Sequence, residues 1–423
     1  MRRTLALLLA TLVAVLASAA GAHAQSAIDV RGSEARIDFP NGIIFTLDAS
    51  SPSGFDEVRL IYQIAPDGVR ASGVADCIGG TLVTCRFDLA GDRQTVLIPG
   101  AELTYFWAIT VDGETEETKP QLVVYEDTRF DWRTVNEGNL TLRWYEGSED
   151  EARRVLAAGR ESLDRIGRLL QTEVNFPVKI IYYASARDMR AASIANNQEG
   201  VVTLGEVFYS DTALVSADFA PTEIARHEVA HIVVRQALRG PFGVPDWLNE
   251  GTAVFAQSRP LPDQRNALER AIDSGRVFSV RSLSSASSGA QASNVSLFYG
   301  QSFGLVAFLV ETYGEERYAQ LFQAFKDGAN TSQALKDTYG FNQDGLENAW
   351  RASVGLPPRE APTPGDGAAV PTAPQPTQPA APSSTVGDGG GESATAIVIV
   401  VVLAAIFAAI AGGMIVLIAR RVR

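Results

Sequence analysis

Histidine is scarce in this sequence, with three residues in a chain of 423, and one of them, His23, falls in a segment with the pattern of a cleavable leader. The other two, His227 and His231, stand four positions apart around Glu228. Two side chains at this spacing share one face of a helix and can bind a single metal ion. The scarcity excludes a third histidine ligand, so any third protein ligand is expected to be a carboxylate.

Positive charge is also in short supply. The chain has 36 lysines and arginines against 49 aspartates and glutamates, which gives a formal net charge of −13. Without the five arginines near the two termini, the remainder carries about −18. A surface of this sign argues against nucleic acid or anionic lipid as a partner. We therefore expect no nucleic-acid partner, and the charge gives little information about a substrate.

Cysteine is limited to two residues, Cys77 and Cys85, with Gly79 and Gly80 between them. This separation and the glycine pair suit a hairpin whose strands are joined by a disulfide. Disulfides persist in oxidising compartments, so the bridge is expected if the protein lies outside the cytoplasm. Two free thiols remain the alternative.

Both ends of the chain have the pattern of targeting segments. Two arginines, the apolar run Leu5–Val15 and an Ala-His-Ala sequence predict a signal peptide over residues 1–24. Residues 393–419 carry no charge and are long enough to cross a hydrocarbon core of about 30 Å. The arginines that follow predict a cytoplasmic tail at residues 420–423. The sequence therefore predicts a single-pass protein of the cell membrane with its bulk outside the cytoplasm.

Residues 25–126 contain no helical period of any length. Short segments with alternating apolar residues, such as Ala35–Leu47 and Thr104–Val111, instead predict β-strands separated by turns. About 100 residues of this kind favour an all-β sandwich of immunoglobulin or fibronectin type III character. The Cys…Trp…Cys spacing of antibody domains is absent, so the sequence does not support the specific immunoglobulin label.

The pattern changes in residues 127–356. Strand candidates lie at residues 140–145, 178–182 and 201–208, with one long helix candidate at residues 150–170 between the first two. Beyond Pro221 the chain is almost entirely helical. A few strands followed by a run of helices indicate an α+β domain. We interpret this segment as a second, mostly helical domain.

Residues 357–392 are dominated by proline, alanine, threonine, serine and glycine. Such a composition cannot bury enough apolar surface to form a core. It predicts an extended, disordered linker between the second domain and the membrane span.

A long apolar segment surrounds the two histidines. Pro221 suits the first turn of a helix and Gly240 suits its end. Apolar residues cover most faces of the intervening segment, which predicts a buried helix. Two neutral imidazoles in that setting need polar partners, and Zn²⁺ at about 2.0 to 2.1 Å from each nitrogen fits this spacing best.

The chain then breaks at a glycine- and proline-rich segment, residues 240–245, and a new helix is predicted from Asp246. A connection this short returns the second helix antiparallel to the first. A residue in the first two turns of that helix can therefore reach back toward the histidines. Glu250, 19 positions beyond His231, is the predicted third ligand.

The motif His-Glu-x-x-His, followed after 18 residues by Glu in the context Trp-Leu-Asn-Glu-Gly-x-Ala, resembles the gluzincin zinc metallopeptidases. The similarity is greatest to the peptidase MA-like and M1-like branch. The resemblance implies that His227, His231 and Glu250 bind Zn²⁺ and that Glu228 is the general base. It also implies that Tyr299 occupies the place of a tyrosine that stabilises the transition state in M1-like enzymes.

The sequence departs from its relatives at two points. Thermolysin-like members have an aspartate four residues after the ligand glutamate to hold the first histidine, and here that residue is Val254. Asn249 and Thr252 are the alternative candidates for orienting a ligand. The Gly-x-Met-x-Asn strand of M1 aminopeptidases, with its glutamate for the substrate's amino terminus, is also missing, although Glu199 remains a possible mimic. Its absence favours an endopeptidase.

Two functions from different classes follow. The first is a membrane-anchored, extracytoplasmic zinc endopeptidase that hydrolyses peptide or protein substrates. The alternative is a cell-surface binding or adhesion protein whose sandwich domain engages a partner and whose zinc site is structural or inactive.

Overall fold

A computed structural model describes most of the two predicted domains. The described residues are 28–65, 68, 70–90, 97–192, 205–208, 211–239, 243–284 and 294–359. The predicted leader, the linker beyond residue 359, the membrane span and the tail lie outside them, as does Glu199. The α+β plan is confirmed, because β-sheets form the N-terminal part and helices dominate the rest.

The N-terminal part consists of strands that form two antiparallel sheets. The strands are β1 (Asp29–Asp38), β2 (Gly42–Ser50), β3 (Glu57–Ile64), β4 (Ala71–Val74), β5 (Asp76–Gly79), β6 (Leu82–Ala90), β7 (Ala101–Val111), β8 (Glu114–Glu117) and β9 (Gln121–Tyr125). One sheet has the order β1-β2-β6-β5, and the other has the order β4-β3-β7-β8, with β9 also paired to β7.

The two sheets share one hydrophobic core. The rings of Phe45 on β2 and Tyr105 on β7 meet edge to face at 4.7 Å, and the indole Nε1 of Trp107 donates to Ser33 Oγ at 3.1 Å. Apolar residues on β2, β3, β6 and β7 supply most of this core, as expected of strands with one buried face. The immunoglobulin or fibronectin label and the domain limits stay predictions.

Cys77 and Cys85 stand directly opposite each other on β5 and β6 and form a disulfide. Cys85 lies in the core between the sheets, whereas Cys77 is exposed on the edge strand. The bridge that the sequence left open is therefore present.

A third sheet belongs to the second part of the chain. Its strands are β10 (Arg133–Glu137), β11 (Leu140–Trp144), β12 (Val178–Tyr183), β13 (Gly205–Phe208) and β14 (Thr212–Ser216), in the order β10-β11-β12-β14-β13. The central three strands are parallel and the two edge strands are antiparallel to their neighbours. The sequence prediction missed β10 and β14. All five residues of β14 are buried, so the strand has no alternation to reveal it.

The helices follow the predicted segments to within a few residues, apart from the short α2, which was not predicted. They are α1 (Glu149–Leu169), α2 (Ala186–Ala191), α3 (Pro221–Leu238), α4 (Asp246–Ala256), α5 (Pro262–Asp273), α6 (Val295–Tyr313), α7 (Glu315–Lys326), α8 (Thr331–Tyr339) and α9 (Gln343–Ser353). Among the described helices, α6 is apolar and long enough to cross a membrane, but 56% of its most apolar 18-residue window is buried inside the protein.

Strand β12 separates two different environments. Val178, Ile180 and Tyr182 join the main core beneath the helices. Ile181 and Tyr183 face the opposite side, where they pack with Ile98 and with aromatic residues that connect the two parts of the chain. The sheet therefore supports the helices on one face and the N-terminal part on the other.

Candidate metal centre

Helix α3 carries the two histidines and is buried on most of its surface. Pro221 occupies its first turn, where the missing N–H costs no helical hydrogen bond, and Ala220 precedes it in a left-handed conformation with φ of 43°. A Cβ atom at Gly159 on α1 would lie 3.4 Å from a methyl group of Val229 on α3, so the two helices approach closely. Close packing holds both imidazoles away from bulk water.

Helix α4 begins at Asp246 after Pro245 and brings Glu250 back toward α3, as predicted. A Cβ atom at Gly251 would lie 2.4 Å from Ser302 O and 2.7 Å from a methyl group of Val306 on α6. Only glycine permits this approach between α4 and α6. The approach also brings the preceding turn of α6, which carries Tyr299, to the same region.

The three predicted ligands converge. Nε2 of His227 lies 3.2 Å from Nε2 of His231, and Oε2 of Glu250 lies 3.3 and 3.5 Å from these two nitrogens. Ligands of a tetrahedral zinc ion at about 2.0 to 2.1 Å from the metal are separated from one another by about 3.3 to 3.4 Å. The spacing therefore fits a zinc ion bound by three protein ligands.

The chemistry of the donor set supports the same fit. All three side chains are buried, and Oε2 of Glu250 has no hydrogen-bond partner among the described residues. Burial opposes ionisation of Glu250, but the charge of His231 holds the pKa of Glu250 down to about 2. Burial lowers the pKa of His227, whereas the charge of Glu250 raises the pKa of His231 despite its burial. Zinc requires a carboxylate and two neutral imidazoles, so its binding would displace a proton from His231.

Asn249 orients two of the ligands. Its Oδ1 lies 3.0 Å from Nδ1 of His231, and its Nδ2 donates to Oε1 of Glu250 at 3.3 Å. An N–H at Nδ1 of His231 leaves the lone pair of Nε2 directed at the metal position. Thr252, the other candidate, instead bonds Leu248 O and the Tyr318 hydroxyl. Of the two candidates, the structure brings only Asn249 to the ligands.

The first histidine has no comparable partner. Nδ1 of His227 is buried without a hydrogen bond to any described residue. Val254, which stands where thermolysin-like relatives have an aspartate, is fully buried and offers no polar atom. Because Val254 replaces the aspartate, no described side chain holds Nδ1 of His227.

Glu228 lies beside the cluster with 1% of its surface exposed. Burial and the charge of Glu250 raise its pKa to about 8, against the opposing charge of His231. Its Oε1 has no partner among the described residues. A divalent cation next to this group would favour the carboxylate form, which is the form a general base needs.

Tyr299 is also at the site. Its ring lies 5.8 Å from that of His227, it is 1% exposed, and its hydroxyl has no hydrogen-bond partner in the described part of the chain. Burial and the charges of Glu250, Glu228 and Asp246 raise its pKa well above the usual value, so it remains a hydroxyl donor at neutral pH.

Asp246 is a site residue that the sequence reasoning did not identify as functional. It begins α4, four residues before Glu250, and burial together with the charge of Glu250 raises its pKa to about 7. The signal was present in the sequence, because a separation of four places the two carboxylates on one helical face.

The family model of the Peptidase MA superfamily matches residues 158–355. No curated protein matches the sequence. Among solved structures, an M1 zinc metallopeptidase from Deinococcus radiodurans is 12% identical, with 80% of this chain and 96% of that chain covered and a TM-score of 0.30. Legionella pneumophila aminopeptidase A in complex with aspartic acid is 11% identical, with 78% and 50% covered and a TM-score of 0.31.

The assignment rests on the family model and on the site geometry, because the TM-scores to these structures are only 0.30 and 0.31. The matched region contains the whole donor set together with Glu228 and Tyr299. The region that matches the Peptidase MA superfamily model is therefore a zinc metallopeptidase domain, with its His227, His231 and Glu250 arranged as in a gluzincin site.

Proposed function

We propose that this protein is a membrane-anchored zinc endopeptidase that hydrolyses peptides or proteins outside the cytoplasm. The observation that carries the proposal is the convergence of Glu250 with His227 and His231, with Glu228 buried alongside. A purely structural zinc site has no use for Glu228, whose burial with a pKa of about 8 is unfavourable for its charged form.

The metal ligands, Glu228 and Tyr299 each have a separate role in the proposed hydrolysis. Zn²⁺ held by His227, His231 and Glu250 would act as a Lewis acid on the scissile carbonyl and would acidify water. Glu228 accepts a proton from the attacking water and later donates it to the departing amine. The Tyr299 hydroxyl donates a hydrogen bond where negative charge develops on the carbonyl oxygen.

The preference for internal peptide bonds is supported by a missing feature. The sequence lacks the strand and glutamate with which M1 aminopeptidases hold a substrate's amino terminus. An enzyme without such an anchor does not require its substrate to end at the scissile position. We therefore favour an endopeptidase.

The proposed location outside the cytoplasm is supported by the sequence patterns at the two termini and by the disulfide. The Cys77–Cys85 bridge is stable in an oxidising compartment and is rare in the cytoplasm. The leader at residues 1–24 and the span at residues 393–419 predict the same location. Anchoring of the catalytic domain near a membrane surface would restrict its substrates to proteins within reach of the linker.

The alternative function, binding or adhesion, is favoured by one observation. Ile78 and Leu82 on the disulfide-bonded hairpin are 83% and 53% exposed, and exposed apolar side chains often mark contact surfaces. In that case the metal site would be inactive.

Glu228→Gln separates the two functions. The full-length protein in detergent is incubated with an unbiased peptide pool, with and without a chelator, and its zinc content is measured. We expect cleavage to fall by at least a factor of about 1,000 in the variant while zinc remains bound, because proton transfer is lost and the ligands are intact. Unchanged cleavage, or no cleavage by the wild-type protein, would favour the binding function.

A further inference from the structure

Asp246 is the acidic side chain of the site that the proposed chemistry does not use. It lies one helical turn before Glu250 on α4. The three metal ligands, Glu228 and Tyr299 are all buried, whereas Asp246 is partly exposed. Its position therefore combines closeness to the metal ligands with access from outside.

Asp246 does not cap helix α4 through a side-chain hydrogen bond. The residue before the helix is Pro245, and no side chain caps the helix end. Among the described residues, none donates a hydrogen bond to the Asp246 carboxylate and no lysine or arginine lies within ion-pair distance of it. The carboxylate is partly desolvated and unpaired, which is unfavourable for a negative charge.

The surroundings of Asp246 are negative. Its charge and those of Glu228 and Glu250 all raise the pKa of the buried Tyr299, whose hydroxyl has no partner among the described residues. A divalent metal ion balances two of the three carboxylates and leaves one negative charge. Arg235 lowers the pKa of Glu228. The pKa of Asp246 is raised by burial and by the charge of Glu250, and no described cation opposes this shift.

We propose that Asp246 is a specificity-determining residue that binds a cationic group of the substrate held at the metal centre. The inference rests on the proposed peptidase function. The cation is an ammonium or guanidinium group, because these groups donate charge-assisted hydrogen bonds to a carboxylate. It is supplied either by a lysine or arginine side chain near the scissile bond or by a free amino terminus.

Peptide pairs that differ only in one charge test the proposal. One pair replaces lysine by norleucine near the cleaved bond, and the other replaces a free amino terminus by an acetylated one. For the zinc-loaded full-length protein, we expect kcat/KM to favour the cationic member of one pair by roughly ten- to a hundredfold. The pair that shows the preference identifies the source of the cation.

Variants at Asp246 assign the preference to this residue. In Asp246→Asn, the ratio of kcat/KM between the cationic and neutral peptides should fall to about one, and Asp246→Glu should retain most of it. Asp150→Asn is the matched control, because it removes an exposed first-turn carboxylate from a different helix, α1. Its ratio should equal that of the wild-type protein.

A binding measurement gives an independent readout. In the Glu228→Gln background, calorimetry compares the affinity for an uncleaved cationic peptide with and without Asp246→Asn, at equal zinc content. The proposal expects a loss of roughly ten- to a hundredfold for the cationic peptide and little change for its neutral partner.

The outcomes separate this inference from the peptidase function. If peptides are cleaved but the cationic preference survives Asp246→Asn or is absent, the inference is overturned and the peptidase function stands. If the wild-type protein cleaves no peptide, the peptidase function fails, and the inference fails with it unless the binding comparison shows the expected loss. Equal affinities in that comparison overturn the inference by themselves.

Discussion

At the scale of single residues, Asn249 contacts two of the three predicted metal ligands. The sequence identified Asn249 and Thr252 equally well, because both lie within two positions of Glu250. Which side chain reaches a histidine depends on how α4 is rotated against α3. That rotation is set by packing between helices and cannot be deduced from the spacing of two residues.

Asn249→Ala is expected to weaken zinc binding by roughly ten- to a hundredfold, because His231 loses the group that fixes its tautomer and ring orientation. The dissociation constant is measured by competition with a chromophoric chelator. Asn175→Ala, at an exposed loop position outside the site, serves as the control. Equal zinc affinities in the two variants would show that Asn249 does not orient the ligand.

At the same scale, His227, Glu228, His231 and Glu250 could be identified from the sequence because one helix and a short connection bring them together. Tyr299 was identified only through a resemblance, and the structure places its ring 5.8 Å from that of His227. Asp246 was not identified, because a first-turn aspartate usually serves the helix end.

At the scale of the elements, the glycines of α4 and α6 control how closely the helices approach. Gly251 faces Ser302 O, and a Cβ atom at Gly300 would lie 2.4 Å from Gln264 O on α5. These glycines stand inside helices, where alanine is intrinsically more favourable. Their presence is explained by helix packing rather than by backbone conformation.

Gly251→Ala is expected to destabilise the protein by about 1 to 3 kcal/mol, because the added methyl group forces α4 away from α6. Zinc affinity should fall as well, since Glu250 is the adjacent residue. Thermal unfolding and the chelator competition measure the two effects. Gly243→Ala is the control, because a Cβ atom there meets nothing within 4 Å. A variant of Gly251 as stable as this control would contradict the packing argument.

The elements also differ in how well they could be predicted. Helix α1 was predicted because its apolar residues recur at helical spacing over several turns. The buried strand β14 and the edge strand β10 were missed, because five residues without alternation carry too little local signal.

At the scale of the whole molecule, Lys179 connects the N-terminal part to the metallopeptidase domain. Its ammonium group lies 2.9 Å from Glu102, 3.0 Å from Asp211 and 3.1 Å from Gly100 O. Asp211 is buried, and desolvation raises its pKa despite the opposing charge of Lys179. The contact therefore ties strand β12 to the preceding domain.

Lys179→Met is expected to lower the free energy of unfolding by roughly 1 to 3 kcal/mol, because the buried Asp211 loses its cation. Denaturant unfolding of the full-length protein measures the change. Lys336→Met, on the exposed surface of α8, removes the same charge without a buried partner and should be nearly neutral. Equal effects of the two substitutions would show that the contact contributes nothing to stability.

The sequence by itself determined the α+β plan, most of the helices and the grouping of His227, Glu228, His231 and Glu250, because helical periods and the His-Glu-x-x-His spacing act over a few turns of chain. Only the tertiary structure decided which polar neighbour orients His231, how the N-terminal part packs on the far face of the third sheet, and that no described residue pairs with Asp246. These features depend on contacts between residues distant in sequence, and their energies are set by burial and packing that no local pattern records.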